Sequence, residues 1–144
     1  TVSGGATHVN TIDYITIATT GNSQDFGDLN RSTRSSGNGI VTNGTTGIFM
    51  GGVQYSSTWR NDIQSITIDT LGNASDFGDL LAAIAYGAQT GNATRGVHMG
   101  GYHNYNYAQN TIEYITIATP GNSVDFGDLL GNNDRPAGTS GNAA

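Results

Sequence analysis

The chain has 144 residues, the size of one ordinary domain, with 22 Gly, 2 Pro and no Cys. Charged residues make up 11%, every basic residue is Arg, and the net charge is −6. That balance excludes a collagen-like chain, a polyelectrolyte tail and a nucleic-acid binder working by phosphate neutralisation, and the missing Cys excludes disulfides, thiolate metal sites and cysteine nucleophiles.

One phrase occurs three times: NTIDYITIATTGNSQDFGDL at 10–29, NDIQSITIDTLGNASDFGDL at 61–80 and NTIEYITIATPGNSVDFGDL at 110–129. The copies start 51 and 49 residues apart. Each is preceded by a Gly pair (Gly4-Gly5, Gly51-Gly52, Gly100-Gly101) and followed by a segment carrying Gly37, Gly87 or Gly138.

In chain order, Gly4-Gly5 leads through a short segment with His8 into TIDYITIAT. There Ile12, Tyr14 and Thr16 alternate with Asp13, Ile15 and Ile17, which predicts a strand. Thr20-Gly21-Asn22 predicts a hairpin turn, because Gly and Asn accept positive φ, and Phe26 falls on a short return strand. The middle copy adds the apolar strand GIFMGG, then Tyr55 and Trp59, the turn Leu71-Gly72-Asn73 and the return strand with Phe77. The segment LLAAIAYGA at 80–88 resembles a helix, but its counterpart RSTRSSGNG does not, so it is predicted as strand. In the third copy GVHMGG carries His98 where GIFMGG carries Phe49, which predicts a packed strand residue. YHNYNY at 102–107, the turn Pro120-Gly121-Asn122 and Phe126 complete it.

Four short strands in a repeat of about 50 residues is the pattern of a β-propeller blade. An apolar strand closing on a Gly pair and followed by spaced aromatics resembles the kelch motif, carried by Gly51, Gly52, Tyr55 and Trp59. The third copy keeps Gly100, Gly101 and Tyr102 and offers Tyr105 and Tyr107 in place of Trp. The phrase NTIEYITIATPGN…DFGDL resembles repeats of kelch-like propellers in tail-fibre and other structural proteins of bacteriophages, marine ones in particular. The resemblance implies an all-β, kelch-like propeller with residues 1–144 as one three-repeat unit. It also implies a non-enzymatic structural or adhesive role at a virion or extracellular surface, with host-receptor binding. The alternative is a lectin-like, carbohydrate- or protein-binding propeller of a cellular protein.

The N-terminus opens within the second strand of a blade, and the C-terminus stops six residues after Gly138 within a first strand. The repeats therefore read as three circularly permuted blades whose ends complete a shared one. Rings typically need about four to eight blades. Self-association head to tail, giving a six-bladed dimer, and the remainder of a longer propeller chain are two accounts that the sequence leaves open. No membrane insertion is expected, since no apolar run reaches the length of a spanning helix.

Asp-Phe-Gly-Asp recurs at 25–28, 76–79 and 125–128. A kinase reading of it fails for want of any lysine, and an EF-hand reading for want of further carboxylates. A motif repeated once per blade predicts structure: Phe plugs the space between blades while Asp and Gly make the turn. His8, His98 and His103 fall at unrelated repeat positions, and no Gly-x-Ser-x-Gly occurs. No catalytic residue, metal ligand or cofactor is predicted. Four Asn-x-Ser/Thr triplets, including Asn43-Gly44-Thr45 and Asn92-Ala93-Thr94, are expected by chance in a chain this rich in Asn, Ser and Thr.

The segments after the Gly pairs differ most between copies: ATHV, VQYSSTWR and YHNYNYAQ. Variation on a constant scaffold is how repeat proteins place binding. The candidate ligand residues are Tyr102, His103, Tyr105, Tyr107, Tyr55 and Trp59, whose rings with polar tips suit a cell-surface glycan or a protein receptor. The competing reading of Tyr55 and Trp59 is packing between blades.

Overall fold

A computed structural model describes residues 9–33, 40–54, 58–103 and 107–138. Among them the chain is all-β. The strands are β1 (Val9–Tyr14), β2 (Gln24–Thr33), β3 (Val41–Thr42), β4 (Thr46–Gln54), β5 (Thr58–Thr67) and β6 (Ser75–Asp79). They continue with β7 (Ala88–Gly91), β8 (Arg95–Met99), β9 (Tyr102–His103), β10 (Tyr107–Thr116) and β11 (Val124–Asn133). Three antiparallel sheets result: β1-β2, then β3-β4-β5-β6, then β7-β8-β10-β11 with β9 also on β10. Neighbours in each sheet follow chain order, as local hairpins dictate, so each sheet is one repeat unit.

The first hairpin of each complete unit is made by an Asn-x-Thr triplet. Asn43 Oδ1 accepts from the N–H groups of Thr45 and Thr46 and from Thr45 Oγ1. Asn92 Oδ1 does the same for Thr94 and Arg95. Two of the chance-expected triplets are thus Asx turns joining β3 to β4 and β7 to β8.

The second reversal departs from expectation. The tight turn lies at Thr16–Thr19, Thr67–Thr70 and Thr116–Thr119, each closed by an N–H to carbonyl bond of 3.0–3.2 Å. The Gly-Asn pairs come after it, and of the three glycines only Gly72 has positive φ, at 155°. These turns close on the threonines without left-handed residues, which leaves Gly-Asn free for the contact described below.

The segment 80–88 is also corrected: strand begins only at Ala88, and Ala85 makes an isolated bridge to Tyr102. Its backbone serves neighbouring strands instead. Ile84 N–H donates to Arg60 O, and Ile84 O accepts from Gly52 N–H. The Gly pair makes this approach feasible, since a Cβ on Gly51, at φ +64°, would stand 2.4 Å from Ile84 O. Leu80, Ile84 and Ala85 of this run are buried, while Leu81 is exposed.

A bulge recurs in the last strand of every unit. Ile12, Ile63 and Ile112 pair with Gly27, Gly78 and Gly127, while the next residues, Asp13, Gln64 and Glu113, pair with Asp25, Asp76 and Asp125. Phe26, Phe77 and Phe126 are the skipped residues, turned out of the ladder toward the sheet face. The main core lies between the second and third sheets, where Val41, Ile48, Met50, Ile63, Phe77 and Leu80 meet Ile115 and Ile117. A second cluster, Ile12, Phe26, Leu29 and Ala74 with Tyr14, Phe49 and Ile66, joins the first sheet to the second. Each large apolar side chain so enclosed contributes about 1.5–3 kcal/mol.

Candidate functional site

Four of the six candidate ligand residues lie among the described residues; Tyr55 and Tyr105 lie outside them. Trp59 stands near the start of β5, opposite Val53. Its ring stacks on Tyr102 of β9 with centroids 6.3 Å apart and planes at 24°. Tyr86 meets the same indole edge-on at 6.1 Å, and the Arg135 guanidinium lies 5.5 Å over the Tyr86 ring. Tyr86 holds φ +64°, the one non-Gly residue with positive φ among the described residues. Tyr86 has no counterpart in the other copies and Arg135, which recurs as Arg34, sits in no aromatic pattern, so the sequence marked neither as a site member.

His103 Nδ1 lies 2.8 Å from Ala83 O. A carbonyl can only accept, so Nδ1 donates to it. Tyr107 pairs with His103 across β9 and β10 and is 66% exposed. The arrangement therefore has two parts. Trp59 and Tyr102, half-buried, spend much of their ring surface on each other and tie the second sheet to the third. Tyr107 presents an open ring and hydroxyl with His103 beside it in the ladder. Arg135 meets the aromatic cluster over the Tyr86 ring, and the rings themselves offer stacking surfaces with polar tips.

Asp-Phe-Gly-Asp does its work through the backbone. At the first junction between units, Gly72 N–H donates to Phe26 O, Ala74 N–H donates to Asp28 O, and Asp28 N–H donates to Asn73 Oδ1. At the second, Ser123 N–H donates to Asp79 O and Asp79 N–H donates to Asn122 Oδ1. A Cβ on Gly27 or Gly78 would stand 2.3 Å from the carbonyl of Gly72 or Gly121, so the turn of the following unit seats directly on these glycines. Phe26 and Phe77 are buried beside the contact. The Gly-Asn pair, read from sequence as a hairpin turn, is thus the plug of an inter-unit junction.

The third unit buries a pair that sequence reading found only in half. His98, on β8, pairs in register with Glu113 on β10, and both are 1% exposed. His98 occupies the packed position of Phe49, as expected. Glu113 Oε2 accepts from Leu81 N–H and from Ser123 Oγ, while Oε1 stands 3.7 Å from His98 Nδ1, too far for a hydrogen bond. Burial raises the Glu113 carboxyl above its ordinary value and lowers the His98 imidazole to about 4. The order serine–carboxylate–histidine is not the nucleophile–base order of a hydrolytic triad, and the serine has no histidine within reach. The clue in the sequence was Gln64, which holds the place of Glu113 one unit earlier and accepts from Asn30 N–H in the same way.

An open cleft of about 350 Å³ lies between the loops around Leu71 and Ile117, and no titratable side chain lines it. No helix among the described residues is long and apolar enough to cross a membrane. No family model and no curated protein matches the chain.

Proposed function

We propose that the chain is an arc of kelch-type β-propeller blades serving as a non-enzymatic structural or adhesive module of a virion surface, such as a tail fibre or appendage. One observation carries this reading: the same backbone junction, Asp-Phe-Gly-Asp against a Gly-Asn plug, joins successive antiparallel repeat units twice. Units joined in chain order through a constant contact suit radial stacking. Meanwhile the segments after the Gly pairs are free to vary. Low charge and short hydrogen-bonded turns fit a scaffold held outside a cell.

A second reading, a carbohydrate-binding propeller, draws on Tyr107 and His103, an exposed ring beside an imidazole anchored on Ala83 O. Electron microscopy tests the architecture: discs of radially arranged sheets around a channel are expected, and elongated flat assemblies would refute it. Binding to intact bacterial cells and to a glycan array tests adhesion. Adhesion is expected to fall at least tenfold in Tyr107→Ser with the melting temperature unchanged; binding that persists at full strength in this variant removes Tyr107 from the site.

A further inference from the structure

The two inner junctions bury matching surfaces, and the two outer units each leave one half of the same junction open. On the third unit, Phe126 is 57% exposed where Phe26 and Phe77 are 7% and 4% exposed. Gly127 holds φ +138°, as Gly27 and Gly78 hold +148° and +153°, yet nothing among the described residues lies within 4 Å of the position its Cβ would take. On the first unit, Gly21 is the counterpart of Gly72 and Gly121, whose carbonyls seat on Gly27 and Gly78 of the preceding unit. Ile15 and Ile17 are 62% and 95% exposed there, whereas their third-unit counterparts Ile115 and Ile117 are each 2% exposed against Phe77 and its neighbours. One end is a socket and the other is its plug, in matching sequence.

From this complementarity we infer that the partner of these ends is a second copy of the chain, docked head to tail. Gly21-Asn22-Ser23 of one copy seats on Asp125-Phe126-Gly127-Asp128 of the other. By equivalence with the inner junctions, Asp128 N–H donates to Asn22 Oδ1 and Ser23 N–H donates to Asp128 O across the interface. Ile15 and Ile17 cover Phe126, which ends the exposure of three large apolar side chains at once. The contact is heterologous, because socket and plug are different surfaces, so a pair of chains makes it twice if the ring closes. The junction itself rests on the observed inner contacts; its closure at two chains rests on the propeller reading.

Phe126→Asp blocks the socket and Ile17→Asp blocks the plug, and both side chains are exposed, so neither change disturbs the inner core. Sedimentation equilibrium of the full chain is expected to give twice the chain mass, and each variant alone the chain mass. Mixing the two variants is expected to restore dimers, since each retains the half that the other lacks. A monomeric parent chain overturns the proposal and assigns the ends to a different partner. Variants that stay dimeric, or a mixture that stays monomeric, overturn it as well. Growth of the parent into longer open assemblies that both variants abolish keeps the junction and refutes the propeller reading instead.

Discussion

Position 113 carries Glu where the middle unit carries Gln64, and both reach back to a backbone N–H of the preceding unit. An amide serves that contact without the cost of a buried charge. Glu113, with a folded pKa raised by burial, adds stability below about pH 4.5 that is lost as pH rises through the folded value. His98 works the opposite way: lowered from 6.5 to about 4, it favours the folded chain above pH 6.5, and that stability is lost as pH falls toward 4. In the parent chain the two slopes oppose each other. Glu113→Gln removes one of them while keeping the bonds to Leu81 and Ser123. The variant is expected to be more stable than the parent at pH 7 by about 1 kcal/mol. It should also lose stability more steeply between pH 6.5 and 4. Urea unfolding at pH 7 and pH 5 checks this; curves that shift equally with pH in both proteins would sink it.

At the scale of the element, the bulged last strand is what lets one unit seat on the next. The skipped Phe turns outward, and the following Gly adopts a positive φ that no other residue holds without strain. Gly78 and Gly127 share this backbone but differ in surroundings: Gly121 O would stand 2.3 Å from a Cβ at Gly78, and no described residue lies within 4 Å of a Cβ at Gly127. Gly127→Ala in a monomeric background is therefore expected to cost only backbone strain, about 1–3 kcal/mol. Gly78→Ala adds a backbone clash to that strain and is expected to cost more than about 4 kcal/mol. Thermal or urea melts of the two variants in the Ile17→Asp background measure the difference. Equal losses would show that the inner junction contributes nothing at this glycine.

Across the whole molecule, a residue's energetic weight follows its place in the stack more than its place in the repeat. Phe26, Phe77 and Phe126 occupy one repeat position, yet only the first two have a neighbouring unit to pack against. Phe77→Ala and Phe26→Ala are expected to destabilise by about 3–5 kcal/mol, the usual cost of emptying an aromatic core site. Phe126→Ala, at protein concentrations low enough to keep the chain monomeric, is expected to stay within about 0.5 kcal/mol of the parent, as surface changes do. Denaturant unfolding of the three variants decides it, and a loss at position 126 comparable to that at 77 would refute the stack order. The Trp59–Tyr102 stack adds a second tie between the second and third sheets, on the side of the Gly pairs.

The all-β character and the order of strands within each unit were legible in the sequence, because alternating Ile, Thr and Tyr between turn residues is a local signal that sets local hairpins. The three-fold repeat was legible for the same reason: identical phrases form identical units. His98 as a packed strand residue followed from Phe49 in the sister copy. The purpose of Gly-Asn was not legible, since the residues that suit a hairpin turn also suit a plug, and only the carbonyls of the preceding unit distinguish the two. Nor was the irregular path of 80–87, where Leu80, Ile84 and Ala85 are buried without pairing in a continuous strand. The Glu113 partnership with His98, Ser123 and Leu81 joins residues from separate loops and strands, so no local pattern announced it. What the sequence determined is each unit's internal pairing, a matter of neighbours along the chain. Only the tertiary structure decided which copies of a repeated side chain are buried, because burial depends on the unit packed against it.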